Sequence, residues 1–600
     1  MDKQLHAMRH SLAHIMAAAI QNLWPRTRFG VGPVIEDGFY YDVDVGEVIT
    51  EDDLPKIEAE MRKIIKADYP FERSEMLIDE AITWAHEHNQ DFKEELLNDL
   101  KRAGTTAVKE LDKASLGLEP DDAKVDSVSF YTSGGFMDLC RGPHVASTGQ
   151  VGAFKLHKLA GAYWRGDEAK RQLQRVYGWG FNTQEDLENH EAAVAEAKAR
   201  DHRRLGQELD LFVSSELVGS GLPLFTPRGT VLRELLGRYS QQLREAKGFQ
   251  RVWTPHMTKT DLYQTSGHWD KFGDELFLVK SQKTSDELVL KPMNCPHHTQ
   301  IYASSQRSYR DLPVRYMENT TDYRDEKSGE LHGLSRVRSL TQDDSHVFCR
   351  EEQIEQEVAQ LVQAANEMYS KLELDLKFRL SYRDDSDAYL GDADLWQKAQ
   401  AALKKVADMS KLDYYEQAGE AAFYGPKIDF IAVDALGREW QVATVQLDFV
   451  QPQRFNLVYT AADGSDQTPV MIHCALLGTI ERFLSVYIEH TAGRFPFWLA
   501  PEQVRVLTVN EEVSDYVDEV AAKLKAVVLN QPLKYNELRY SLDERNESLG
   551  KKIREAENAK VPLIMIVGPK DQKAGEVSVR VDGKESKQKL DGLGEYLLGL

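Results

Sequence analysis

Apolar residues recur at helical spacing near the start of the chain. Leu12, Ile15, Met16, Ala19, Ile20 and Leu23 form one stripe of a predicted helix over residues 9 to 23. His10 and His14, four apart, stack on a face nearly opposite that stripe and are expected to look outward. Residues 31 to 42 read as two short strands around an Asp-Gly turn, and a charged amphipathic helix follows near 51 to 67. Residues 183 to about 210 are helical and dense in charge. Their His202, Arg203 and Arg204 are either a solvated face or an RNA contact. Past a Pro/Gly-rich loop, a long amphipathic helix is predicted from 231 to about 247, then a strand over 249 to 255 ending in proline. Two further strands are predicted over 423–430 and 439–448, and 470–483 reads as a strand running into a helix. From about Trp498 short strands (504–509, 535–540, 562–567, 577–580) alternate with helices (516–528, 547–559). That alternation predicts an α/β domain with a mixed sheet.

A length of 600 residues suggests three or four domains, and 42% hydrophobic with 28% charged residues is the composition of a soluble globular protein. No apolar run is long enough to span a bilayer. The opening residues carry no signal-peptide pattern, so a cytoplasmic location and no membrane partner are expected. Four cysteines in so long a chain do not make a disulfide framework, which turns attention to metal or catalytic roles. The net charge of -23 argues against a general polyanion binder but leaves room for a local basic strip.

Two sets of residues carry candidate chemistry. Cys295, in Lys291-Pro292-Met293-Asn294-Cys295-Pro296-His297-His298, has two distant partners in His346 and His473. One thiolate and two imidazoles suit zinc with three protein ligands and an open fourth position, the catalytic pattern. Taken alone, the same three residues also describe ordinary buried side chains. The second set pairs His10 and His14 with Cys140 and His144, again four apart, in Asp138-Leu139-Cys140-Arg141-Gly142-Pro143-His144. It could hold a metal or position a hydrolytic water.

This second pairing, extended by Gly161-Ala162-Tyr163-Trp164-Arg165-Gly166-Asp167, resembles the proofreading domain of the threonyl-tRNA synthetases. The order helix, strand, Pro255 resembles the first motif of class II aminoacyl-tRNA synthetases, which builds a homodimer interface in that class. Tyr323-Arg324-Asp325-Glu326-Lys327-Ser328-Gly329-Glu330-Leu331-His332-Gly333-Leu334, followed by Arg336-Val337-Arg338 and Thr341-Gln342-Asp343-Asp344-Ser345-His346, resembles the second motif. Residues 470 to 483, with Gly478 and Arg482, resemble the third. Asp543-Glu544-Arg545-Asn546-Glu547-Ser548-Leu549-Gly550 resembles the family's anticodon-binding domain.

The resemblance covers nearly the whole chain. It implies an α+β multidomain protein: an N-terminal α+β editing domain (1–182), a connecting helix (183–215), a class II antiparallel-sheet catalytic core (216–497) and a C-terminal α/β anticodon-binding domain (498–600). The small ubiquitin-like domain that precedes these in many bacterial members is expected to be absent. The implied activity is ATP-dependent ligation of L-threonine to tRNA(Thr), with hydrolysis of mischarged Ser-tRNA(Thr), by a homodimer using Zn2+ and, with ATP, Mg2+. Arg324 is implied at the α-phosphate, Glu326 at adenine, Arg336 at the outer phosphates, Lys427 at phosphate and nearby substrate, and Arg482 stacked on adenine. Gln342 and Asp344 would hold the amino acid and its amine, with Tyr424, Gln441, Thr444, Gln446 and Thr479 lining the site. Cys295, His346 and His473 would bind the zinc. Tyr41, Lys93 and Asp138 would join His10, His14, Cys140 and His144 in editing, for which the family uses no obligatory metal; zinc there is the alternative. Arg554, Asp571 and Arg580 are the implied anticodon contacts. His297 stands where glycine is usual, and Val442-Ala443 after Gln441 is a second departure; neither removes a ligand or an arginine. A non-catalytic RNA-binding regulator or a stand-alone deacylase would be expected to lose Arg324, Arg482 or a zinc ligand, and none is lost.

Overall fold

Along the strand Ser339–Cys349, Val347 and Cys349 point into an apolar core while His346 and Phe348 point the other way. The two-residue period of a strand lets one segment supply both a core and a site. The partner strand Val470–Thr479 repeats the division: Ile472 and Cys474 face the core, Met471 and His473 the opposite side. His346 and His473 are thereby direct cross-strand neighbours.

A computed structural model describes residues 2–106, 125–167, 169–386, 388–527 and 537–600. Two compact units emerge, Met1–Ala195 and Glu196–Leu600. In the second, an eight-stranded sheet runs in the order Gln250–Arg251, Val314–Tyr323, Ser339–Cys349, Val470–Thr479, Glu439–Asp448, Lys427–Val433, Leu376–Tyr382, Tyr414–Ala418. Its six inner strands are antiparallel and both edge strands are parallel to their neighbours. Helices Pro227–Glu245, Ile354–Lys371, Ala393–Met409 and Ile480–Thr491 pack on one face. A five-stranded mixed sheet follows: Tyr540–Asp543, Val504–Thr508 and Leu563–Val567 are parallel, and Glu576–Val581 and Lys584–Lys589 antiparallel. The strand Lys584–Lys589 and the helix Leu593–Leu598 lie beyond the elements predicted there. The strand expected over 535–540 lies later, at Tyr540–Asp543; residues 535 and 536 lie outside the described residues.

The sheet register shifts where Gln342 pairs with Thr479 but Asp344 pairs with Ala475. The extra residues are accommodated by Gly478 at φ +65°, a left-handed conformation that favours glycine. Asp343 satisfies the amides this bulge frees: its carboxylate accepts from Leu476 and Leu477 N–H and from Ser240 Oγ. Arg244, fully buried beside it, donates to the carbonyls of Asp343 and Asp344. Asp343→Ala would leave the buried Arg244 charge without its counter-ion, 3.9 Å away, and two core amides without their acceptor. We expect it to cost about 3–5 kcal/mol, read as a lower melting temperature of the Glu196–Leu600 unit.

In the first unit a five-stranded sheet includes Gly38–Asp44, Ala153–Tyr163 and Gln172–Phe181, and a three-stranded sheet joins Glu72–Leu77, Ser127–Ser133 and Phe136–Leu139. The first helix is longer than predicted, Lys3–Leu23, and corrects one expectation. His14 does not look outward: it is only 3% exposed. The helix touches Leu54–Ala67, Gly38–Asp44, Gln172–Phe181 and Phe136–Leu139, so its second face is covered as well. Small residues on that face (Ser11, Ala13, Ala17) are what allow the close approach.

Two further expectations change. The charged helix is broken at Asp201 into Gln184–Arg200 and His202–Glu208. His202 is 1% exposed and holds Glu489 at 2.7 Å and the Leu334 N–H at 3.1 Å, which is a packing role rather than an RNA contact. The strand expected over 249–255 shrinks to Gln250–Arg251, whose ladder with Val314–Tyr323 ends where the Val252 N–H donates to the Met317 carbonyl.

Candidate functional sites

Cys295 is the first residue of the buried helix Cys295–Ala303, which brings its thiol against the polar side of the central strands. The ligating atoms of Cys295, His346 and His473 all lie within 4.8 Å of one another, and all three residues are buried. His346 Nε2 faces His473 Nδ1 at 3.0 Å. His473 Nε2 meets Asp448 Oδ2 at 2.9 Å, the kind of outer hydrogen bond that orients a metal-binding imidazole. One thiol and two imidazoles converging in a buried polar pocket fit zinc. His268, which sequence reasoning missed, places its Nε2 3.5 Å from Cys295 Sγ. Burial, with His473 and Arg324 nearby, pushes it down to about 3.

Tyr424 stacks on His473, with ring centroids 4.7 Å apart, and donates to Gln446 Oε1 at 2.5 Å. Gln446 Nε2 in turn donates to Thr444 Oγ1 at 3.3 Å. This chain leads from the histidines to a cavity of about 280 Å³ lined by Arg324, Gln342, Gln441, Thr444, Thr479 and Arg482. Burial raises the Asp344 carboxyl, against the opposing pull of His298 and His473. Lys427 sits 3.0 Å from Asp429. Asp429 is an organising residue that sequence reasoning passed over. It is fully buried and accepts from Gln441, Thr444, Ser381 and Arg379. Arg379, also missed, donates to Gln441 as well. Glu326 and Arg336, expected at opposite ends of a nucleotide, are paired with each other at 2.6 Å, and Arg336 also meets Glu330.

The second cluster lies in the Met1–Ala195 unit. Cys140 Sγ is 3.3 Å from both His10 Nε2 and His144 Nε2. His10 stacks on His144, with centroids 4.3 Å apart, and Ser11 Oγ lies 3.1 Å from His144 Nδ1. His14 approaches Asp138 at 3.8 Å. Lys93, buried, pairs with Asp138 at 2.8 Å and donates to Tyr41 OH at 3.2 Å, while Tyr41 OH donates to Asp138. All seven residues singled out from sequence therefore come together. Burial lowers His10, His14 and His144, the last to about 2, and raises the Cys140 thiol to about 11. The imidazoles are held neutral, as hydrogen-bond acceptors of low basicity, beside a neutral thiol.

The three candidates in the last domain do not converge in this way. Arg554 is exposed. Arg580 is paired with Glu557 at 2.8 Å and Glu585 at 2.9 Å. Asp571 is only 7% exposed and accepts from Gly568 N–H, Ser578 Oγ and Lys587 Nζ. It closes the start of the helix Pro569–Ala574.

Family models match three stretches. Residues 277–491 match the tRNA synthetase class II core domain (G, H, P, S and T), 503–592 an anticodon-binding domain, and 128–177 the threonyl and alanyl tRNA synthetase second additional domain. The threonine–tRNA ligase of Gloeobacter violaceus is 46% identical, over 98% of this chain and 91% of that protein. Threonine–tRNA ligase 1 of Bacillus subtilis is 44% identical, over 98% and 87%. A solved structure, the RNA-binding domain of Cryptosporidium parvum threonyl-tRNA synthetase, superposes with a TM-score of 0.62 at 34% identity, covering 66% of this chain and 98% of that one. Identity at this level along nearly the full length of both chains, over a fold that carries these clusters, places the protein in the threonine–tRNA ligase family of class II aminoacyl-tRNA synthetases.

Proposed function

We propose that the chain activates L-threonine with ATP as threonyl-adenylate, transfers it to tRNA(Thr), and hydrolyses Ser-tRNA(Thr) at a separate site. The observation that carries the ligase reading is the convergence of Cys295, His346 and His473 next to a cavity lined by Arg324 and Arg482. Activation joins the threonine carboxylate to the α-phosphorus of ATP and releases diphosphate. Positioning and positive charge supply most of that catalysis. Arg324 suits the α-phosphate because its planar fork meets two oxygens at once. Arg482 offers a flat cation to the adenine, and Gln342 and Asp344 take the amino acid and its amine. When bound at Cys295, His346 and His473, zinc would supply an open position for the amine and side-chain hydroxyl of threonine. Mg2+ would accompany the ATP, and Lys427 would serve its phosphates.

The domain limits 1–182, 183–215, 216–497 and 498–600 carry over as part of this reading, with Arg554 and Arg580 as anticodon candidates. The short edge strand Gln250–Arg251 and the 76% exposed Trp253 beside it support a homodimer contact there. ATP–pyrophosphate exchange with threonine, valine and serine tests the reading; no threonine-dependent exchange in zinc-loaded protein would overturn it. Arg324→Ala is expected to lower exchange with threonine by ~10²–10³-fold, the loss typical of one charge-stabilising donor, with zinc content unchanged.

A further inference from the structure

His346 and His473 each have an outer nitrogen, and the two are held differently. His473 Nε2 meets a carboxylate, Asp448 Oδ2, at 2.9 Å. His346 Nδ1 instead meets another ring nitrogen, His298 Nδ1, at 2.8 Å. His298 is fully buried, and behind it Glu318 Oε2 lies 3.5 Å from His298 Nε2. We propose that His298, backed by Glu318, is a positioning residue for the metal: it accepts the outer proton of His346 and so fixes that ring with its Nε2 lone pair turned to the ion. The inference rests on the reading of Cys295, His346 and His473 as ligands.

Proton placement carries it. A metal-binding nitrogen bears no hydrogen, so a ligating His346 Nε2 puts the ring's proton on Nδ1. The acceptor within hydrogen-bond reach of that proton is His298 Nδ1, at 2.8 Å, while the Asp344 carboxylate stands farther off at 3.6 Å; His298 Nδ1 must then be bare. A neutral His298 therefore carries its own proton on Nε2, facing Glu318. The reverse arrangement also has partners on every side. Asn294 Nδ2 can donate to His298 Nε2 at 3.0 Å, which moves the His298 proton to Nδ1 and the His346 proton to Nε2. In that arrangement His346 Nε2 is closed to a metal. Asn294 cannot simply turn its amide, because its Oδ1 accepts from Lys291 Nζ at 2.9 Å and Thr254 Oγ1 at 2.8 Å. Choosing between the two arrangements falls to the Glu318 carboxylate, the acceptor that the His298 Nε2–H requires. Asp448 has no such choice to make, since a carboxylate can only accept.

Zn2+ affinity of the full chain, measured by competition with a chromophoric chelator, tests this. Loss of an outer-shell partner typically weakens metal binding ~10–100-fold, and that is the fall expected for His298→Leu. His298→Gln can still accept from His346 through Oε1, so it should recover most of the affinity. Co2+-loaded His298→Leu should also show an altered visible spectrum. Parent-like Zn2+ affinity and Co2+ spectrum in folded His298→Leu would overturn the proposal. Should that variant not fold, ¹⁵N-histidine spectra of the zinc-loaded parent, with His298 assigned through His298→Gln, decide instead. His298 protonated on Nε2 is expected, and on Nδ1 would refute the proposal. Cys295→Ala separates the two levels. Unchanged Zn2+ affinity in that variant would sink the ligand reading itself. Lost affinity there, with none lost in His298→Leu, would sink only this inference.

Discussion

Cys295→Ala is expected to abolish zinc binding and to lower threonine-dependent ATP–pyrophosphate exchange by at least ~10³-fold, the range for losing a group that acts on the reacting complex. The expectation follows from what threonine recognition demands. Valine matches threonine in shape and lacks only the hydroxyl. A purely steric pocket would separate such near-isosteres by ~10²-fold, whereas a site built to engage the polar group rejects its absence by ~10⁴ or more. Here the polar group would be read at the point where Cys295, His346 and His473 meet, within 4.8 Å of one another. Removing the thiol should therefore flatten the preference for threonine over valine as well as the rate. Exchange assays with threonine, valine and serine, beside metal analysis of each preparation, give both numbers. A Cys295→Ala protein that still prefers threonine to valine by orders of magnitude would mean that discrimination resides elsewhere.

The parts of this site that were legible in sequence are those that belong to ordered motifs. Cys295, His346 and His473, which alone also describe ordinary buried side chains, could be singled out together with Arg324 and Arg482 because they fall in and around ordered motifs that resemble those of class II synthetases. The residues that hold them in place could not. Asp429, Asp448 and Glu318 are carboxylates within strands, and an acidic residue in an alternating strand reads as solvent-facing. Their burial is decided by what packs over that face, which no local pattern encodes. The same limit explains His14. Amphipathicity finds one buried stripe, and the first helix buries two because a segment more than a hundred residues later covers its other side. Lys93 belongs to a charged helix, Asp91–Ala103, and nothing in its neighbours says that it is buried against Asp138. The α/β character of the last domain was easier, because the alternation after Trp498 depends on periodicity, whereas the α+β multidomain class followed from the motif resemblance. The last strand, Lys584–Lys589, escaped because its residues are nearly all polar.

The double substitution His10→Ala with His14→Ala is expected to leave threonine activation intact while hydrolysis of preformed Ser-tRNA(Thr) falls by ~10²–10⁴-fold, the usual contribution of general acid–base groups. The need for such a site follows from the first one. Serine carries both the amine and the hydroxyl, so a pocket that reads those groups cannot exclude it, and one missing methyl gives only ~10–200-fold discrimination. The cluster of His10, His14, Cys140 and His144 is suited to the correction. Burial holds the three histidines below the ordinary imidazole range, His144 to about 2, so they stay neutral and can hold and orient a water by accepting its hydrogen bond. Lowered values also fix the sign of the pH dependence: the basic form persists as pH falls, so deacylation by the parent enzyme should hold between pH 7.5 and 6. A rate that drops with a midpoint near ~6.5, where a free imidazole titrates, would show that burial does not hold these rings neutral. Buried Lys93 and Tyr41, both bonded to Asp138, form a fixed polar wall beside the cluster. Whether a metal takes part is decided in the Cys295→Ala background, which removes the other zinc site from the measurement. Hydrolysis that survives chelation there assigns the work to the histidines, and hydrolysis that is lost and then restored by added Zn2+ assigns a second ion to His10, His14, Cys140 and His144.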